Sequence, residues 1–480
     1  MKKTLMIRTF IMLAGAITIL GCAGCGSETK FKNIADIEKY RTYYNEALQE
    51  LSGESYHGRS NYGDGNIKTA KYLIGELQQM GIGSMVDEVG AEPKQVTPPF
   101  KSTITPCGPM RFEGTPEDKM AYLQHYSLPM NVMRGAMQLI VDGNELVPAV
   151  DFVAKEFSPS CKGDFELAFP SVDNYTSVRE LADHINSGIY KNKFLVIEWE
   201  PYSEKIGTNA FDRYKEFMEM LRADKVAGVI YRLESKSPYF KARSYYVTPV
   251  PAFFVWNGLT DESKKVSVNM ESDLIEVHDA HNVLASIKGT KYPEKRYLLM
   301  GHFDHLGYMG MDNVHPGAND NASGPSMMLA LAKYFSENPP ECTIDFAFFD
   351  AEENNLLGSY YYKNNPRYPQ ENIRYILNYD MVADTPESIY LQIPEEGMAG
   401  YDLIQKINMS FEEPFNFILD DIVDDSDNYF FALDGVPSIY FHTEGKYKDI
   451  YHTPSDTYEN ISDVGFERLF TLTINFIEKY

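Results

Sequence analysis

Cysteine is scarce in this chain, with five residues in 480, and only Cys22 and Cys25, close to the start, stand in a Cys-x-x-Cys spacing. The three others, Cys107, Cys161 and Cys342, cannot all pair. Cys107 with Cys161 could form one disulfide in an oxidising compartment, but a disulfide framework or a thiolate zinc site is excluded. Positive charge is the second shortage. Forty-four Lys and Arg face 69 Asp and Glu, a net charge of −25, which argues against nucleic acid and anionic membrane surfaces as partners. No short-period repeat or low-complexity tract is visible. Long apolar runs are also lacking, except at the N-terminus.

That exception reads MKKTLMIRTFIMLAGAITILGCAGCGSETK. A basic start and an apolar stretch of about a dozen residues lead into Leu20-Gly21-Cys22. This is the form of a bacterial lipoprotein signal, cleaved before a lipid-bearing cysteine; Cys25, after Ala23-Gly24, is a second candidate. The polar break after the cysteines disfavours a spanning helix. The expected location is exported and lipid-anchored, on the periplasmic or cell-surface side of a bacterial membrane.

The rest is globular in composition, with 44% apolar and 13% aromatic residues, and a chain of 480 residues is too long for one ordinary core. Residues 34–80 read as helical: Ile67, Ala70, Leu73, Ile74, Leu77 and Met80 follow a 3.6 period and Gly81 stops it. Residues 85–135 are rich in Pro, Gly and Thr and read as a loop-heavy connection. From 136 to 277 the strand-like KFLVIEWEP, AGVIYRL and VPAFFV surround a helix marked by Phe211, Tyr214, Phe217, Met218 and Leu221. Beyond 278, RYLLMGHF, TIDFAFF, RYILNYDMV, SIYLQI and PSIYFHT alternate with helical segments such as ASGPSMMLALAKYF. This predicts an α/β fold, a doubly wound and mostly parallel sheet flanked by helices, with ligand sites at the carboxyl ends of its strands. The expected divisions are a signal with its lipidation site at 1–25, an N-terminal helical part at 30–135, a smaller inserted α/β unit at 136–277 and a catalytic unit at 278–480.

Residues 278–480 hold 13 basic against 33 acidic side chains, a net of −20, and seven of the ten histidines. His302 and Asp304 follow a strand as His-Phe-Asp. Asp320 precedes the helix in GANDNASG, Glu352 and Glu353 end TIDFAFF, Asp380 ends RYILNYD, and His452 lies in YHTPSD. Singly, each has an ordinary explanation: a helix cap, a hydrogen-bonded histidine, a polar strand terminus. Together they supply two imidazoles and three carboxylates suited to a metal site, plus a spare carboxylate for proton transfer.

The ordered motifs HFDHLG, GANDNASG, FDAEENNLLGS, NYDMV and YHTPSD resemble the co-catalytic dizinc aminopeptidases of the aminopeptidase Y and aminopeptidase S family. The middle unit is similar to the protease-associated domain that many members carry as an insertion. The resemblance implies two zinc ions, one held by His302, Asp320 and Asp380, the other by Asp320, Glu353 and His452, with Asp320 bridging. Glu352 would be the general base, and Asp304 would accept the outer N–H of His302. It implies a zinc exopeptidase that removes N-terminal residues from peptides. Asn319, where members often have Asp, and Asn428, where many have His, depart from the pattern outside the ligand set. His305 and His315 read as structural or loop residues, Ser426-Asp427 as a structural pair, and DDIVDDSD (420–427) as a solvated loop rather than a cleft wall. A carboxypeptidase of the same superfamily would need a cation for the substrate carboxylate, and no arginine lies between Arg374 and Arg468. Glutaminyl cyclase is disfavoured by the short EENNLLGS spacing and by Tyr451 before His452. A binding protein on an inactive scaffold would have lost ligands that are retained here.

Overall fold

The computed structural model describes residues 31–480 apart from 61–62, 91–92, 95, 97–121, 134, 207–209, 236–242, 245, 311–312, 385–387 and 446–447. The signal segment with Cys22 and Cys25, and Cys107, lie outside the described residues. Cys161 and Cys342 are free thiols.

The sheet that carries the site has four adjacent parallel strands at its centre, in the order Cys342–Phe349, Tyr292–His302, Ile373–Tyr379, Ser438–Glu444. The chain starts on Tyr292–His302, passes to one side for Cys342–Phe349, then to the other for Ile373–Tyr379. The order of winding therefore reverses at Tyr292–His302, where an open α/β sheet forms a crevice beyond its strand ends. Every residue of Cys342–Phe349 is buried, because both faces of the strand are covered; such strands read as unbroken apolar runs instead of alternating ones. Parallel pairing is confined to this centre and to the outermost pair, Ser388–Gln392 with Phe417–Asp420. The flanks Asp273–Ile287, Leu123–Val132 and Arg243–Ser244 are antiparallel.

Helix Ser323–Glu337 is buried along most of its length. Helices Ile37–Leu51 and Phe466–Lys479 both lie against it. Tyr44, Leu48 and Leu73 thus share one core with Leu299, Met328, Phe346 and Phe470, so the N-terminal helices and the central parallel strands form one hydrophobic unit. The expected helices at 34–80 are present as Ile37–Leu51 and Gly65–Gln79, and Gly81 follows the second with a positive φ. A second, eight-stranded sheet between residues 137 and 270 has its own core, in which Trp199, Tyr214, Tyr231 and Phe254 cluster. KFLVIEWEP, AGVIYRL and VPAFFV supply three of its strands.

Two expectations fail. The stretch 85–135 contains the ten-residue strand Leu123–Val132. It is buried at eight of those ten positions, so no alternation betrays it, and Pro129 argues against a strand. The border expected at 277/278 falls inside strand Asp273–Ile287, which pairs with Leu123–Val132 in the larger sheet. The first half of this strand is largely solvent-facing, which gives it the composition of a linker.

Candidate metal centre

The four parallel strands end side by side, and the proposed ligands leave from those ends. His302 is the last residue of its strand, Asp380 follows Tyr379, Glu352 and Glu353 follow Phe349 by a turn, and His452 comes from the loop after Ser438–Glu444. Asp320 enters from the turn before helix Ser323–Glu337. His302, Asp320, Glu353, Asp380 and His452 are all buried.

Their donor atoms fall into two groups. His302 Nε2 lies 3.4 Å from Asp320 Oδ1 and 3.3 Å from Asp380 Oδ1. His452 Nε2 lies 3.1 Å from Asp320 Oδ2 and 3.5 Å from Glu353 Oε2. Ligand atoms about 2.0–2.1 Å from one zinc in tetrahedral array are separated by about 3.3 Å, so both spacings suit a metal. Asp320 presents a different oxygen to each group, as a bridging carboxylate must. The donors are imidazole and carboxylate only, a set suited to zinc. The residues present fit the group.

The electrostatics fit equally well. Burial disfavours the His302 imidazolium, but Asp380 and then Glu352 outweigh it and hold the ring protonated well above its usual range. Burial likewise opposes the charge on His452, yet Glu353 and Asp320 raise its pKa to about 10. Asp320 and Glu353 are pushed below the ordinary carboxylate range; the imidazoles around them outweigh burial and mutual repulsion. Glu352 behaves in the opposite way. Burial first, then Glu353, Asp380 and Asp427 push its carboxyl well above the usual range against the pull of His302. The two adjacent glutamates are thus displaced in opposite directions.

Asp304 offers His302 Nδ1 two acceptors. Its main-chain oxygen is the nearer acceptor for His302 Nδ1, at 3.1 Å, with its carboxylate at 3.6 Å. The carboxylate accepts the main-chain N–H of Glu352 at 3.1 Å, tying the two strand ends together. Ser426, read as structural, donates to Asp380 Oδ2 at 2.8 Å. Asn319 is internal scaffolding: its Oδ1 accepts the main-chain N–H of Ala383.

Sequence reasoning missed three contributors. His305 is fully buried with Nδ1 2.8 Å from Glu353 Oε1, so the ring engages one oxygen of Glu353 while the other faces His452; His305, Asp320 and Glu353 also qualify as a metal-holding group by themselves. Asp456 accepts main-chain N–H groups from Asn319 at 2.8 Å and Asp320 at 3.0 Å. Asn321 donates to the main-chain oxygens of His302 and Tyr379 and accepts from Gly324 and Met381. The motifs HFDHLG, YHTPSD and GANDNASG contain all three, but no local feature distinguishes them from their neighbours.

A cavity of about 310 Å³ opens onto the centre, lined by His302, Asp320, Glu352 and Asp380 and also by Met381, Asp384, Asp425, Tyr440, His442, Thr443 and Tyr451. Asp425 belongs to the acidic run read as solvated; it is exposed and also forms part of this wall. Tyr451 stacks on His452 with ring centroids 3.8 Å apart. Its phenol stays protonated, through burial first and then the surrounding carboxylates.

Residues 282–477 match the model of Peptidase family M28. A probable zinc metalloprotease from Pyricularia oryzae is 35% identical over 109 residues, 22% of each chain. A probable leucine aminopeptidase 2 from Aspergillus oryzae is 30% identical over 187 residues, 37% of this chain and 36% of the relative. The sequence matches thus span about a fifth to a third of those proteins. A zinc aminopeptidase from Bacillus subtilis superimposes with a TM-score of 0.62, covering 91% of this chain and 94% of that one at 17% identity. At that identity the likeness is one of fold, and it gives this chain the architecture of the zinc exopeptidases.

Proposed function

We propose that this chain is a zinc-dependent aminopeptidase that removes N-terminal residues from peptides. The observation that carries the reading is the pair of donor groups sharing Asp320 at the base of a cavity, with Glu352 beside them and outside both groups. His302, Asp320 and Asp380 would hold one zinc, and Asp320, Glu353 and His452 the other. When bound, such a pair lowers the pKa of water toward about 7 and polarises a carbonyl. Glu352 faces the cavity outside both donor groups, so as a carboxylate it can take a proton from an attacking water and deliver it to the leaving amine, a role worth about 10²–10⁴ in rate. Tyr451 offers a phenolic O–H to charge developing on the carbonyl oxygen. Asp384 and Asp425 in the cavity wall, with no Lys or Arg among the described residues that line it, favour a substrate ammonium over a substrate carboxylate.

The test is hydrolysis of a peptide panel by zinc-loaded protein. Peptides with a free N-terminus and an amidated C-terminus should be cleaved, and N-acetylated ones spared. The reverse pattern would make the enzyme a carboxypeptidase, and no cleavage by protein holding zinc would favour a binding role. The reading extends to a protease-associated-like insert built on the smaller sheet, residues 137–270, and to lipid anchoring through Cys22 or Cys25. Metabolic labelling with a clickable fatty acid should be lost in Cys22→Ala or Cys25→Ala, whichever is the acceptor.

A further inference from the structure

Arg59 lies behind the metal centre and takes no part in the function above. It is fully buried. Its guanidinium donates to five main-chain carbonyls: Nε to Phe303 at 2.9 Å, Nη1 to Leu51 at 2.9 Å and Pro316 at 2.6 Å, Nη2 to Gly317 at 2.7 Å and Asp320 at 3.3 Å. Phe303 sits between His302 and Asp304, Asp320 is the bridging carboxylate, and Leu51 ends the first helix. One planar group therefore joins the main chain beside the first imidazole to the main chain of the bridge, and both to the N-terminal helix.

The turn that delivers Arg59 is held tightly. His57, Gly58 and Arg59 all have positive φ. A Cβ on Gly58 would lie 2.4 Å from the main-chain oxygen of His315 and 2.5 Å from that of Gly307, so the turn is pressed onto the segment between Asp304 and Asp320. Burial pulls the Arg59 pKa down to about 10, while the carboxylates of Asp456, Asp320, Asp304 and Glu353 counter it. The charge is thus retained at neutral pH among the carboxylates of the site.

Resting on the metal-centre reading, we propose that Arg59 is a positioning residue of that centre: its five donors set the separation of His302 and Asp320 before any metal arrives. Arginine suits the task because its rigid fork reaches several carbonyls at once, whereas a lysine ammonium on a flexible stem engages fewer. Preset ligands need little rearrangement on binding, so loss of the fork weakens metal affinity as well as stability.

The experiment compares wild type, Arg59→Lys, Arg59→Met and a control, Arg296→Met, which removes another buried arginine, paired with Asp345 at 2.9 Å and set back from His302 along strand Tyr292–His302. Each protein is stripped of metal, checked by circular dichroism and thermal unfolding, and titrated with zinc against a chromophoric chelator. We expect two zinc ions in wild type, zinc affinity lowered about 10–100-fold in Arg59→Met, an intermediate value in Arg59→Lys, and wild-type affinity in Arg296→Met despite its lower stability. Arg59 variants that fold and bind zinc like wild type would overturn the inference and leave the residue a structural plug. Variants that stay unfolded even in excess zinc would overturn it too, since Arg59 would then support the whole fold. Wild type that binds no zinc would overturn the metal-centre reading itself, and this inference with it.

Discussion

Glu352 and Glu353 are neighbours that the fold sends in different directions. Glu353 Oε2 faces His452 and its Oε1 faces His305, while Glu352 lines the cavity. Glu353→Gln should therefore lower the zinc content of purified protein. Glu352→Gln should leave it near wild type while kcat falls about 10²–10⁴-fold; metal analysis beside steady-state kinetics separates the two. His305→Phe removes the partner of Glu353 Oε1 and should weaken zinc binding about 10–100-fold, read by chelator competition. A pH effect follows from His452. Its folded metal-free pKa of about 10 lies above the usual 6.5, so its contribution to metal-free stability is complete below pH 6.5 and is lost as pH rises through about 10. Zinc needs the neutral ring, so binding between those limits releases protons and tightens with pH. Calorimetry in buffers of different ionisation enthalpy should give buffer-dependent heats; identical heats would mean that no proton leaves.

At the scale of elements, the site depends on how closely helix Ser323–Glu337 approaches the end of strand Ile373–Tyr379. Gly324 permits that approach: a Cβ there would stand 2.2 Å from the main-chain oxygen of Tyr379 and 2.7 Å from Asn321 Oδ1. Gly324→Ala must push the helix away from the strand end or displace Asn321, which braces His302 and Tyr379. We expect a loss of about 1–3 kcal/mol in urea unfolding, with reduced zinc content because Asp320 and Asp380 separate. The strands themselves were legible from their apolar runs, since central parallel strands are buried on both faces. Strand Leu123–Val132 was not, because the buried polar residues Gln124, Ser127 and Asn131 interrupt any apolar run and Pro129 argues against a strand.

For the molecule as a whole, the two largest of four apolar cores among the described residues lie on different sheets, one shared by the N-terminal helices and the central parallel strands and one within residues 133–309. Leu306 and Met309, which follow the HFD motif, belong to the second core, so the smaller sheet supports the rim of the site. Differential scanning calorimetry should show more than one transition. Zinc at about 100 times its dissociation constant should raise the transition of the catalytic core by the equivalent of about 2.7 kcal/mol and the other much less. A single transition that moves as a unit would mean that the two cores unfold together.

The sequence alone pointed to the candidate ligands and their order, because the strand ends that carry His302, Glu353 and Asp380 are marked by local apolar runs, while Asp320 and His452 stand in the motifs GANDNASG and YHTPSD. Through the family resemblance it also implied a division of labour at Glu352 and Glu353. Tertiary structure decided the rest. Arg59 meets Phe303 across 244 positions, Asp456 meets Asp320 across 136, and His305 meets Glu353 across 48. Contacts between residues so far apart leave no periodicity or spacing in a single sequence, so the groups that hold the ligands in place became visible only once the chain was folded.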